Sequence, residues 1–175
     1  MIALGSQPAM PDVPLDGLSV HTADDILRGA RLRGSVIVFD DDGRFRGPGA
    51  ALLLTHEGTH VEIVTPELYV GVRLDPSNLP PVYRQLSEAD ITLTPNHALV
   101  SASAGVVRFR NVFSGVGVER RGVDALVVSL LRRVPQDALY HALRGRVEVH
   151  LIGDAAAART TDKVILEATV LGRSL

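Results

Sequence analysis

Apolar and polar positions alternate along this chain in two ways. The run Ser35-Val36-Ile37-Val38-Phe39 ends in the polar turn Asp40-Asp41-Asp42-Gly43, a helix-compatible segment spans Ala50 to His56, and Gly58 leads into a second strand, Val61 to Thr65. This succession predicts the opening of a βαβ unit. Leu79 to Ala89 predicts a further helix, with Pro80 and Pro81 at its start, and Ile91 to Thr94 a third strand. From His97 the period changes to two. His97 to Ser101, Val106 to Arg110 and Val116 to Glu119, with Gly105 and Gly115 as turns, predict an antiparallel meander. Ala125 to Leu130 predicts a buried strand, Asp137 to Leu143 a short helix, Val147 to Ile152 a last strand and Thr161 to Leu175 a closing amphipathic helix. Before all of these lie a strand-like Met1 to Leu4, a Pro-rich loop from Gly5 to Pro14 and a short helix from Asp24 to Arg31.

Composition narrows the class. The chain has 175 residues, enough for a real core, and no apolar run of membrane-spanning length. A net charge of −2, with arginines scattered among acids, gives no footprint for nucleic acid or an anionic membrane. There is no cysteine, so the chain can form no disulfide and cannot alone hold an iron–sulfur cluster or use a thiol nucleophile. No secretory segment is evident, which makes a cytoplasmic site the expectation.

The turn after the first long strand has the outline of a dinucleotide site. There, glycines normally let the backbone approach a pyrophosphate, which rests on the N-terminus of the following helix. Asp40, Asp41 and Asp42 stand in that place. A carboxylate about 5 Å from a phosphate costs on the order of 3 kcal/mol at an effective dielectric near 20, roughly two decades of affinity. Arg44 and Arg46 could offset part of that. The competing reading is that the aspartates only cap the turn or the helix. Gly153 and Asp154 follow one predicted strand and precede a helix, so they are candidates for cofactor binding, with Arg159 a candidate partner for an anion. Turn chemistry for Asp154 and a solvated guanidinium for Arg159 are the alternatives. His21, His56, His60, His97, His141 and His150 show no metal-ligand spacing, and Gly58 separates His56 from His60. Ser101 and Ser103 lack a nucleophile elbow.

Four stretches, in order, resemble the nucleotide-binding C-terminal half of trimethylamine dehydrogenase-like flavoproteins, relatives of the old yellow enzymes and 2,4-dienoyl-CoA reductases. Met1 to Pro8 is similar to the "ATGS-P" strand and turn, with Leu4 in place of threonine. Val20 to Asp25 with Leu27 to Gly29 is similar to a "V-x-T-x-D-x-L-x-G" crossover. Val36 to Gly49 resembles the aspartate-containing turn of the amine dehydrogenase branch, and Leu151 to Ala155 with Arg159 resembles "IGDA-x-x-PR", Ala158 replacing proline.

The resemblance implies an α/β fold. A Rossmann-like, NAD-type inserted domain with a β-meander (34–129) would interrupt a partial FAD-type lobe formed by the two chain ends (1–33 and 130–175). The strands at Met1 to Leu4 and Val147 to Ile152 would then be neighbours. In the resembling family FMN, the substrate site and a 4Fe–4S centre lie on an N-terminal barrel and a cysteine cluster, and a glycine-rich turn opens the FAD-type domain. The expectation is therefore a small or accessory subunit of an oxidoreductase of the amine dehydrogenase type, itself without a complete active site. Its partners would be a larger FMN and iron–sulfur subunit and an electron-transfer protein. ADP or FAD would be shared with the partner chain through Gly153, Asp154 and Arg159. The alternative is an independent ADP-, NAD- or FAD-binding module with a regulatory or reductase role.

Overall fold

A computed structural model of the chain describes residues 1–174. In chain order its strands are β1 (Ser6–Pro8), β2 (Leu15–Asp16), β3 (Ser19–Thr22), β4 (Ser35–Asp40), β5 (His60–Val64), β6 (Thr92–Thr94), β7 (His97–Ser103), β8 (Val106–Asn111), β9 (Gly117–Arg121), β10 (Ala125–Ser129) and β11 (Arg133–Pro135). The helices are α1 (Ala23–Leu27), α2 (Arg46–Thr55), α3 (Leu79–Glu88), α4 (Ala138–Leu143) and α5 (Thr161–Ser174), with one tight helical turn at Gly153–Ala155. The fold is mixed α/β, with parallel and antiparallel sheets. It divides into two compact units, Met10–Leu131 and the stretch Met1–Ala9 together with the residues from Arg132 onward.

In Met10–Leu131 a five-stranded parallel sheet runs in the order β3-β10-β4-β5-β6. Successive side chains of a strand face opposite ways. Val36 and Val38 of β4 accordingly join Ala50, Ala51 and Leu54 of α2 and Leu86 of α3 on one face. Ile37 and Phe39 join Leu99, Val107 and Phe109 of the four-stranded sheet β2-β7-β8-β9 on the other. Each such fully buried aliphatic side chain contributes about 1.5–3 kcal/mol relative to leaving it in water. Because both faces are covered, β4 is buried from Val36 to Asp40, and its run is continuous rather than alternating. The chain leaves β4 toward β5 on one side and returns through β10 on the other. The carboxyl ends of β4 and β10 thus flank the switch point where open α/β sheets hold their ligands.

Local signals explain the element ends. Thr22 caps α1 by accepting the Asp25 N–H, while the Asp25 carboxylate accepts from the Thr22 N–H and hydroxyl, a reciprocal capping box. Those bonds to Thr22 hold the Asp25 carboxyl below its usual range. The threonine and aspartate of the crossover stretch thus have a folding role. Helix α1 stops at Leu27, short of the expected Arg31, and Gly29 turns the chain at φ +104°. Helix α2 begins at Arg46, before the expected Ala50, because Pro48 and two glycines fit a first turn that they would break further in.

In the other unit, β1 pairs antiparallel with β11, which corrects the reading of Gly5 to Pro14 as loop. Ile2 and Leu151 form a parallel bridge, with Ile2 N–H on His150 at 2.8 Å and Ile152 N–H on Ile2 at 3.0 Å. The expected adjacency of the two segments is present, but Val147 to Ile152 forms no strand. A single bridge pairs too little backbone to make one. Helix α5 buries none of its described side chains, and Ile165, Leu166 and Val170 are exposed. Among the described residues no helix is long and apolar enough to cross a membrane.

Candidate functional site

Two strand–turn–helix corners contain the chemistry the sequence singled out. The first is at the carboxyl ends of β4 and β10. Asp40 and Ser129 are register partners there, and the Asp41 and Asp42 N–H groups both donate to the Ser129 carbonyl, at 2.8 and 2.9 Å. By strand parity Asp40 continues the row of Val36 and Val38, toward α2. Its carboxyl is fully buried, and Oδ1 accepts the Gly43 N–H at 3.3 Å. Gly47, in the first turn of α2, packs so closely that a Cβ there would lie 2.5 Å from the Asp40 Cγ. Asp42, 1% exposed, is held by Arg46 through two bonds at 2.9 and 3.2 Å. Arg46 also reaches Asp24 of α1 at 3.6 Å and the Leu130 carbonyl at 3.2 Å. Arg44 is exposed.

This corner is filled by the chain's own carboxyls. A pyrophosphate would need the close approach to the first turn of α2 that the Asp40 side chain takes up against Gly47, and the Asp41 and Asp42 N–H groups are already donated to the Ser129 carbonyl. The residues present therefore do not fit a dinucleotide. No side chain caps α2, so the aspartates act as turn and ion-pair residues rather than helix caps.

The second corner is the turn Gly153–Ala155 and the approach to α5. The structure brings Gly153, Asp154 and Arg159 together, and adds two residues that the sequence did not single out, Ser6 and Glu167. Gly153 adopts φ +64°, a conformation that favours glycine. Its N–H donates to Glu167 Oε2 at 2.8 Å, and Arg159 Nη2 lies 3.0 Å from both oxygens of the same carboxylate. Asp154 accepts from the Ser6 hydroxyl and the Arg159 N–H, each at 3.3 Å. Ser6 is in turn held by Arg133, whose Nε donates to the hydroxyl at 2.9 Å. The Gly153 N–H, followed by Arg159, pulls the Glu167 carboxyl below its usual range. An open groove of about 660 Å³ borders this corner, lined among others by Tyr140, His150, Leu151, Arg159 and Leu166.

Chemically, the Asp154 carboxylate can accept from hydroxyls of a sugar or ribityl chain. A phosphate fits less well, because Glu167 already takes the donors an anion would use. Glu167 had little sequence signal, lying eight residues beyond Arg159 and inside a helix whose apolar stripe dominates the pattern. Elsewhere, α2 ends at Thr55 and His60 opens β5, so His56 and His60 share no helical face. Among the described residues no group of three or more His, Cys, Asp or Glu is placed to hold a metal ion.

No family model matches the chain. It is 35% identical to an N,N-dimethylglycine/sarcosine dehydrogenase of Chromohalobacter salexigens over 156 residues, which is 82% of this chain and 22% of that protein. Histamine dehydrogenase from Rhizobium sp. 4-9 superposes with a TM-score of 0.88 at 25% identity, over 99% of this chain and 30% of the other. The chain is thus similar to one part of oxidoreductases of the amine dehydrogenase type. The flavoprotein disulfide reductase RclA from Escherichia coli shares the fold, with a TM-score of 0.65 at 18% identity over 99% of this chain and 43% of that one. The chain spans less than half the length of each of these proteins.

Proposed function

We propose that the chain is the nucleotide-domain-like component of an oxidoreductase of the amine dehydrogenase type, equivalent to part of the C-terminal half of the trimethylamine dehydrogenase-like enzymes. The observation that carries this reading is the likeness to histamine dehydrogenase along almost the whole chain. In this reading the inserted NAD-type domain, 34–129, lies within the unit Met10–Leu131. It serves as scaffold, because Asp40 and Asp42 fill its crevice. The unit of the two chain ends is the partial FAD-type lobe, and Gly153, Asp154 and Arg159 form one side of a site for ADP or FAD. The other side of that site, the FMN, the 4Fe–4S centre and the amine substrate lie outside these 175 residues, on a larger subunit. The exposed apolar stripe of α5 contributes to the surface that meets this subunit, and the assembly passes electrons to a further protein.

The test is purification at native expression level, followed by native mass spectrometry of every co-eluting chain and cofactor. The expected result is a stable complex with a larger, flavin-carrying polypeptide. The chain by itself should be colourless and inactive in amine oxidation with an artificial acceptor. A monomer at micromolar concentration, with no co-purifying polypeptide, would overturn the reading and favour an independent nucleotide-binding module. A flavin spectrum from the pure chain would do the same.

A further inference from the structure

The corner at the ends of β4 and β10 holds something that a scaffold does not require. Asp40 is 0% exposed, and its Oδ2 has no well-formed hydrogen bond. Opposite it the Ser129 hydroxyl, 2% exposed, also has none. Two adjacent buried oxygens without a partner are uncommon, since buried polar groups are generally satisfied. The Ser129 hydroxyl can donate to an ionised Asp40 or accept from its acid form, so it is the lack of charge compensation that selects the acid.

The charged groups around Asp40 point to the same conclusion. From its own turn come Asp42, 1% exposed, and Asp41. From α2 comes Arg46, committed to Asp42 and to Asp24 of α1. From the segment after β5 comes Arg73, whose guanidinium binds the Asp41 and Asp42 carbonyls and Glu67. β10 contributes Ser129, which is neutral. Among the described residues no cation is within ion-pair distance of Asp40. Gly47 closes the chamber on the α2 side. An unpaired buried carboxylate is costly, and the group neutralises instead.

We propose that Asp40 is a buried proton site: from mildly acidic pH up to neutrality its carboxyl is held as the acid against Ser129, and its ionisation requires the Asp41–Arg46 turn to open to water. This goes beyond the proposed scaffold role, because it makes the crevice end of the sheet responsive to pH. The directions of the electrostatic effects agree. Burial, then repulsion from Asp42, push the Asp40 carboxyl up to about 7, against the Ser129 hydroxyl and the Gly43 N–H.

The test is infrared difference spectroscopy of the chain against Asp40→Asn, with amide hydrogen exchange of residues 41–46, over about pH 5 to 9. A carboxylic-acid C=O band present at low pH should fade with a midpoint near neutrality and be missing in the variant. Protection of the turn amides, after correction for the base-catalysed rise of intrinsic exchange with pH, should fall above that midpoint in the native chain and not in Asp40→Asn. Asp42→Asn, which leaves Asp40 in place, should lower the midpoint because it removes the repelling charge. A native chain that shows no such band at about pH 5 would overturn the proposal. So would a band unchanged in Asp40→Asn, or a midpoint insensitive to Asp42→Asn.

Discussion

The two corners begin alike: each follows a strand or bridge, carries a glycine and an aspartate, and leads toward a helix. Around Asp40 the protein is closed. Its carboxyl is buried against Gly47, beside a second buried acid, and its tendency is to keep a proton. Around Asp154 the protein is open. Its neighbours Glu167 and Arg159 form a partly exposed ion pair, and Glu167 tends to lose its proton. The same residue types thus serve opposite ends, and burial together with the nearest available cation decides which. Arg46 is spent on Asp42, whereas Arg159 is within reach of Glu167.

The largest effect that would sharpen this contrast is pH dependence. The folded chain keeps a proton on Asp40 that the unfolded chain has already released above its ordinary value of 3.8. The Asp40 contribution therefore falls as pH rises to about 7 and is level beyond. It amounts to on the order of 4 kcal/mol across that window. Glu167 has the opposite sign, since its contribution is present above the unfolded value of 4.5 and is lost as pH falls through the lower folded one. Urea titrations of the native chain and of Asp40→Asn across this range will separate the two. The variant should lose the decline toward neutral pH.

Next in size is Arg46→Ala. It leaves Asp42, 1% exposed, without its ion-pair partner, and should destabilise by about 3 kcal/mol, as breaking a buried pair from one side does. The chain's midpoint in urea measures it, and a loss below about 1 kcal/mol would mean that Asp42 finds water in the folded state.

Gly47→Ala comes third. Alanine should gain about 1 kcal/mol of helix propensity, yet the clash with Asp40 should leave a net loss of about 1–2 kcal/mol. In an Asp40→Ala background the same substitution should become stabilising. A gain in the native background would contradict the close packing. The smallest effect is expected from Glu167→Gln, because the Arg159 pair is partly exposed, and thermal unfolding should scarcely move.

Much of the parallel sheet was legible in sequence because Val36 to Phe39 and Ala125 to Val128 are apolar runs that a strand covered on both faces can use, and Val61 to Val64 is interrupted only by Glu62. For Asp40 the sequence left two readings, a charge facing a ligand and a cap of the turn or helix, and neither anticipated a fully buried carboxyl. Its parity with Val36 and Val38 placed it inward, but three consecutive aspartates look like a solvated turn. The start of α2 was hidden by Gly47, Pro48 and Gly49, each a helix breaker except in a first turn. The pairing of Ser6–Pro8 with Arg133–Pro135 joins two proline-bearing segments far apart in sequence, which no local pattern encodes. Gly153, Asp154 and Arg159 were found from the strand-to-helix outline, whereas Glu167 enters only through the fold of α5 onto the turn.

The structure moves the obstacle to a dinucleotide from charge to shape. With Asp40 buried against Gly47 and its charge reduced up to neutral pH, repulsion is not its main effect. Calorimetric titration of the chain with NADH tests this account most directly. The prediction is no binding tighter than about 1 mM, in the native chain and equally in a variant with Asp40 and Asp42 changed to glycine, whose cavity the neighbouring turn would collapse into. Micromolar binding by the native chain would contradict it.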